Sequence, residues 1–299
     1  MDNKSAMVLA RLENVSQSYG AVRALDDVSF TVSQGEVLAL LGPNGAGKTT
    51  ALGLLTGLLA VQKGRVELAC GNPRDSAQRR HLGAMLQEAR LPETLRVGEL
   101  VRNFSAYYPT PRPIGETLEL AGLEDLEKRS YGALSGGQQR RVQFALAICG
   151  RPRVVLVDEP TTGLDVESRR TFWGVLRQLR AEGVALVLTT HYIEEADALA
   201  DRVVVLRAGR VVAEGTPMAL KKLQGSTRLR CRSALEEADV AALIGVRRVS
   251  RDGPWLTVEC DAAEPVIAAL LARDAALDGL EITPRRLEDA FVELLEDAR

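Results

Sequence analysis

Short apolar runs without polar alternation punctuate the first two thirds of the chain, and amphipathic stretches separate them. Residues 35–41 (Gly-Glu-Val-Leu-Ala-Leu-Leu), 154–157 and 184–188 are too brief for helices and rich in valine or leucine. Such runs suit strands buried on both faces, as in a parallel sheet. A glycine-rich loop follows the first run, and a helix is predicted from about 48 to 59. Residues 7–14 and 28–32 read as antiparallel strands beside this core. Val97, Leu100, Val101 and Phe104 recur at helical spacing, Pro109, Pro111 and Pro113 then interrupt the chain, and a second helix is predicted over 114–121. A small helical insert therefore occupies about 97–150. The whole pattern predicts an α/β fold with a mainly parallel core sheet.

A boundary is predicted at Gln224-Gly225-Ser226, dividing the chain into residues 1–224 and 226–299. The second part is more acidic, with 10 basic against 15 acidic residues. Its pattern predicts a strand at 227–232, a helix at 235–244 and a hairpin of 246–251 with 255–260. A helix at 265–273, a strand at 280–283 and a final helix from Leu287 follow. That order is the β-α-β-β-α-β, ferredoxin-like, α+β pattern. Leu287, Ala290, Phe291, Leu294 and Leu295 mark one apolar face of the last helix, more suited to packing on its own domain than on a partner.

Composition narrows the class. The 299 residues are 46% hydrophobic and 26% charged with a net charge of -2, which describes a folded chain without a positive field for nucleic acid. No apolar run approaches the ~18 residues of a membrane span, and the first residues lack a secretory pattern. Any membrane role must therefore run through a partner. The cysteines (Cys70, Cys149, Cys231 and Cys260) have no metal-ligand spacing, which predicts reduced thiols.

The candidate chemistry starts with Gly42-Pro43-Asn44-Gly45-Ala46-Gly47-Lys48-Thr49-Thr50. It matches G-x-x-x-x-G-K-[ST] between a strand and a helix, the context that a phosphate-cradling loop requires. Glycines let backbone N–H groups converge on phosphate, and the helix N-terminus adds to the attraction. Lys48 supplies charge between the β- and γ-phosphates, and Thr49 offers a hydroxyl to Mg²⁺. Asp158 ends an apolar strand, which puts its carboxylate at the sheet edge near the phosphates as a Mg²⁺ partner. Glu159 and Pro160 come directly after it.

Between these two motifs lies Leu134-Ser135-Gly136-Gly137-Gln138, just before a helix predicted at 138–148. By itself the segment is a good helix cap. With the phosphate loop and the paired acids, it resembles the signature of ATP-binding cassette (ABC) ATPases over about residues 7–224. The resemblance implies that Ser135, Gly136, Gly137 and Gln138 cap the ATP of a second copy, in a head-to-tail homodimer. It implies that Asp165, in Thr162-Gly163-Leu164-Asp165, crosses the same interface. It also implies Glu159 as general base, His191 as a γ-phosphate contact that steadies it, and Gln87 as a group touching metal and attacking water. Tyr19 corresponds to the aromatic that stacks on adenine. A lone glutamine, histidine or tyrosine would carry none of these roles without the resemblance; His81 matches nothing.

Pro284 to Phe291 resembles a motif of drug- and antibiotic-resistance exporters of the ABC-2 type. The implied role is the ATP-hydrolysing subunit of an exporter, with ATP and Mg²⁺ bound. Such a subunit sits in the cytoplasm, peripheral on the inner face of the cell membrane, through a separate ABC-2-type permease. Arg90-Leu91-Pro92 through Val101 is expected to meet that permease. Uptake of a small solute is left open, as is a soluble ABC ATPase acting on a macromolecular assembly. Against the latter, the chain has one cassette, no heptad tract, and a C-terminal domain that an iron–sulfur assembly ATPase would not explain.

Overall fold

A computed structural model describes residues 7–87, 91–223, 227–283 and 287–288. The chain divides into two compact units, Met1–Thr216 and Pro217–Arg299. The first begins with β1 (Val8–Tyr19), β2 (Val22–Ser33), β3 (Val37–Leu41), α1 (Lys48–Leu55), β4 (Lys63–Leu68), α2 (Ser76–Arg79) and β5 (Leu82–Met85). The insert helices α3 (Val97–Ser105), α4 (Ile114–Leu120) and α5 (Gly136–Ile148) come next. The unit closes with β6 (Val154–Asp158), α6 (Val166–Ala181), β7 (Ala185–Thr189), α7 (Ile193–Leu199), β8 (Arg202–Arg207) and β9 (Arg210–Gly215).

Six strands form the main sheet in the order β5-β6-β7-β3-β8-β9. Every neighbouring pair is parallel except β8 with β9. The antiparallel sheet beside it runs β2-β1-β4. The absence of polar alternation in β6 and β7 has a direct cause. Val155, Val157, Leu186 and Leu188 enter the core shared with the insert helices. Val154, Leu156, Ala185 and Val187 enter the core shared with β1, β2 and α1. Both faces are dry, and burying each valine or leucine contributes about 1.5–3 kcal/mol.

One expected helix is shorter in the structure. The one expected to reach residue 59 stops at Leu55, because Gly57 turns left-handed with φ 71° and the Leu59 N–H closes on the Gly53 carbonyl at 3.0 Å. In α3, which has the expected helical spacing, Val97, Leu100 and Val101 lie in the first core. That leaves Phe104 and Tyr107 outward, 37% and 77% exposed and in edge-to-face contact. The insert is tied to the rest of its unit by buried Arg112, which ion-pairs with Glu116 and, at 2.8 Å, with Glu182 beyond the end of α6.

The second unit contains α8 (Pro217–Leu223), β10 (Thr227–Arg232), α9 (Glu237–Ala241), β11 (Val246–Asp252), β12 (Trp255–Cys260), α10 (Ala263–Arg273) and β13 (Asp278–Thr283). Its sheet is antiparallel in the order β11-β12-β10-β13, the ferredoxin-like arrangement. Along β10, Leu229 and Cys231 face the core with Val258, Val240, Val266 and Leu270. Arg228, Arg230 and Arg232 take the other face and pair across strands with Glu259, Glu281 and Asp278. Leu287 is buried. Arg90, the 224–226 boundary, Pro284, Arg285, Arg286 and the rest of the expected terminal stripe (Ala290, Phe291, Leu294, Leu295) lie outside the described residues.

Candidate functional site

The phosphate loop joins β3 to α1, and close neighbours demand two of its glycines, Gly42 and Gly47. A Cβ on Gly47, at φ 107°, would lie 2.4 Å from the Ala24 carbonyl oxygen; on Gly42 it would lie 2.3 Å from that of Leu206. Pro43, Asn44 and Gly45 are exposed, whereas Ala46 is buried and fastens the loop by accepting the Gly209 N–H at 3.2 Å. No side chain caps α1 at Gly47, so the N–H groups of its first turn face the loop without a side-chain acceptor. Lys48 is buried, and its Nζ donates to the carbonyls of Gly42 at 2.6 Å and Pro43 at 3.1 Å. Burial draws the pKa of this ammonium down, opposed by the charges of Glu159 and Asp158. Thr49 is exposed and Thr50 half-buried in the first turn. A helix start without a side-chain cap, beside a buried cation, fits a polyphosphate.

Asp158 is the last residue of β6 and only 4% exposed. The Thr189 hydroxyl on β7 donates to its Oδ1. Glu159 then takes φ 48°, a left-handed conformation costly for a side chain of its size. Three contacts hold it there. Its N–H donates to the Thr189 carbonyl at 3.0 Å and hydroxyl at 3.2 Å, and its carbonyl accepts Arg140 Nη2 at 2.8 Å. The turn brings Glu159 Oε2 to 3.4 Å from Nδ1 of His191, which follows β7 and is 47% exposed at its side chain. Asp158, Glu159, His191 and Lys48 therefore converge from three segments of the main sheet.

The remaining expected residues occupy the surroundings. Gln87 is exposed just beyond β5, and the preceding Leu86 carbonyl accepts Arg140 Nη1 at 3.5 Å. Ser135 and Gln138 close a capping box on each other at the start of α5, the Gln138 N–H donating to Ser135 Oγ at 3.3 Å and the Ser135 N–H to Gln138 Oε1 at 3.0 Å. Ser135 and Gly136 are exposed, and Gly137 packs near Leu164. Asp165 caps α6: Oδ1 accepts the Ser168 N–H at 2.8 Å and Oδ2 the Ser168 hydroxyl at 2.9 Å. Those bonds, the backbone one foremost, hold its carboxyl below the usual range. Arg141 on α5 donates to the same Ser168 hydroxyl at 3.1 Å. The signature and the 162–165 loop thus form one surface, and the bonds of Ser135 and Gln138 do not reach the phosphate loop. Tyr19, 49% exposed, offers a free ring at the end of β1.

Thr189 and Arg140 escaped the sequence reading, since neither belongs to an expected motif position. Only the pairing of Asp158 with Thr189 across β6 and β7 reveals the first. Thr189→Val keeps shape and removes the hydroxyl that orients Asp158. Turnover is expected to fall about tenfold with ATP affinity within about threefold of the parent, measured by phosphate release and by nucleotide titration. Equal turnover would show that the hydroxyl has no part in holding the acids.

Residues 25–162 match the family model described as ABC transporter. The chain is 36% identical to a Nod factor export ATP-binding protein I of Paraburkholderia xenovorans, over 94% of this chain and 95% of that protein. It is 34% identical to the daunorubicin resistance ATP-binding protein DrrA3 of Streptomyces coeruleorubidus, over 96% of each. A cobalt import ATP-binding protein of Rhodobacter capsulatus is 45% identical over 67% of this chain and 76% of that protein. Among solved structures, a dimeric post-hydrolysis cassette bound to ADP and Pi superposes with a TM-score of 0.64 at 27% identity, covering 70% of this chain and 98% of that one.

Proposed function

The chain belongs to the ABC transporter family as an ATP-hydrolysing, ATP-binding subunit, and from that premise we propose that it drives export through a separate ABC-2-type membrane permease. What carries this reading is the span of the similarity. Likeness to the two proteins named for export or drug resistance runs through the C-terminal unit, whereas likeness to the cobalt import protein covers only 67% of the chain. Among the described residues no helix is long and apolar enough to cross a membrane. As the partner of such a permease, the chain would lie peripherally at the cytoplasmic face of a membrane, with Phe104 and Tyr107 on the permease-facing surface.

In the proposed reaction, loop N–H groups from Gly42 to Thr50 and the Lys48 ammonium hold the β- and γ-phosphates, and Tyr19 stacks on adenine. Glu159 takes a proton from the water that attacks the γ-phosphorus, and the bond to the departing ADP oxygen breaks. His191 steadies Glu159 and touches the γ-phosphate, while Gln87 orients the water. Thr49, Asp158 and Gln87 would hold Mg²⁺, whose role is to offset the negative charge of the phosphates. The donors are all oxygens, and among the described residues no group of three or more His, Cys, Asp or Glu is placed to hold a metal ion by itself. That set suits an ion that completes its shell with phosphate and water. Ser135, Gly136, Gly137, Gln138 and Asp165 complete the site of a second copy in a head-to-tail homodimer.

Affinity purification from detergent-solubilised membranes tests the role. The tagged chain is expected to retain a multi-span membrane protein, and Tyr107→Glu is expected to lose it while keeping ATPase activity. Recovery of ribosomal or chromosomal proteins instead would favour the soluble alternative. Ending the chain after Thr216 is expected to leave the Kd for ATP within about threefold of the parent, since every residue placed around the phosphates precedes that point. A folded truncation that no longer bound ATP would place part of the site in the second unit.

A further inference from the structure

Glu195 is completely buried, 0% exposed, and the reaction above gives it no task. It lies in α7, four residues beyond His191. Its Oε1 accepts the Trp173 indole N–H from α6 at 2.9 Å. The hydroxyls of Thr190 and Thr161 lie near the same carboxyl, Thr190 Oγ1 also accepting the Tyr192 N–H at 2.9 Å, and the Arg169 guanidinium places a positive charge nearby. Burial pushes this carboxyl up, opposed by those donors and by Arg169. Glu195 Oε2, Thr161 Oγ1 and Arg169 Nε are each enclosed without a well-formed hydrogen bond. A leucine would fill such a space at lower cost, because an enclosed carboxyl loses hydration that its partners only partly restore.

The partners give the cost a purpose. Thr190 immediately precedes His191, Thr161 stands two residues after Glu159, and Trp173 and Arg169 belong to the helix that Asp165 caps. A second path runs outside the carboxyl: Arg169 stacks on the Tyr192 ring at 4.6 Å, and that ring lies 4.0 Å from His191. The residue before His191, the turn after Glu159 and the helix that Asp165 caps therefore all come close to Glu195.

We propose that Glu195 is a positioning residue: by anchoring the Trp173 indole of α6 beside Thr190 and Thr161 it holds the His191 loop and the turn after Glu159 in the arrangement needed for hydrolysis. The proposal rests on the roles proposed above for Glu159 and His191.

Glu195→Gln in the full-length chain is the direct test. Glutamine keeps the volume and an acceptor for the indole, and loses the charge beside Arg169. The expected result is a kcat lowered about tenfold, with the Kd for ATP unchanged and the melting temperature within about 3 °C of the parent. Trp173→Phe, which keeps a ring and removes the donor, is expected to lower kcat less. The double variant is expected to add little to Glu195→Gln, as members of one network do. Parental kcat in folded Glu195→Gln overturns the proposal, and so does a loss of ATP affinity and kcat in proportion to lost stability. If Glu195→Gln does not fold, parental kcat in Trp173→Phe overturns it. Glu159→Gln, assayed alongside, separates the two levels: if it retains turnover, the underlying catalytic reading fails, and if it alone loses turnover, only the role of Glu195 does.

Discussion

Glu159→Gln is expected to bind ATP as the parent does and to hydrolyse it about 10²- to 10⁴-fold more slowly, the usual contribution of a positioned general base. The substitution suits the question because it changes basicity and little else. Glu159 is held through its backbone, by Thr189 at the N–H and Arg140 at the carbonyl. An amide of the same size keeps that left-handed turn and its place 3.4 Å from His191. Single-turnover phosphate release measures the loss, and nucleotide titration measures the retained affinity. With binding intact and turnover stopped, the variant is also expected to accumulate as an ATP-dependent dimer in size-exclusion chromatography. Parental turnover would remove Glu159 from the role of base.

Lys48→Ala is expected to act on the other quantity. A charge-assisted hydrogen bond contributes about 1.5–3 kcal/mol, so losing the ammonium should weaken ATP binding by about 100-fold, or 2.7 kcal/mol. The loop is expected to keep its shape, because Gly42 and Gly47 are set by close backbone neighbours and Ala46 is anchored to Gly209. Removal of Lys48 also leaves Asp158 and Glu159 without the cation that their charges stabilise, so residual turnover should fall as well. Titration calorimetry checks the first effect and circular dichroism the retained fold. Parental affinity would show that the loop N–H groups hold the phosphates unaided.

Much of the architecture was legible because its signals are local. A run such as 154–157 can be dry on both faces only inside a covered sheet, and β6 and β7 feed two cores by strict alternation. In β10 the structure turns the arginines outward and Leu229 and Cys231 inward, as in a one-faced sheet. The helix stop after Leu55 was less legible, since Thr56 and Gly57 differ little in pattern from the residues before them until Leu59 folds back. The stripe of α3 was legible as amphipathic, but not what it packs against: that depended on α5 and the loop near Tyr131 lying over it.

The site divides the same way. Its identity rested on types and spacing in the sequence: a loop with glycines at 42, 45 and 47, Lys48 and Thr49 at a helix start, and Asp158 with Glu159 at a strand end. These suffice because a tight turn of N–H groups at a helix terminus follows from local backbone chemistry. Thr189, Arg140 and Glu195 belong to no local pattern. Each matters only through atoms distant along the chain: Thr189 through Asp158 on the next strand, Arg140 through the Glu159 and Leu86 carbonyls, and Glu195 through Trp173 on another helix. The sequence alone determined which groups could do the chemistry, and the tertiary structure decided which groups hold them in place. The physical reason is that a side chain's reactivity is written in its own covalent structure, whereas its orientation depends on hydrogen bonds that exist only once distant segments have packed.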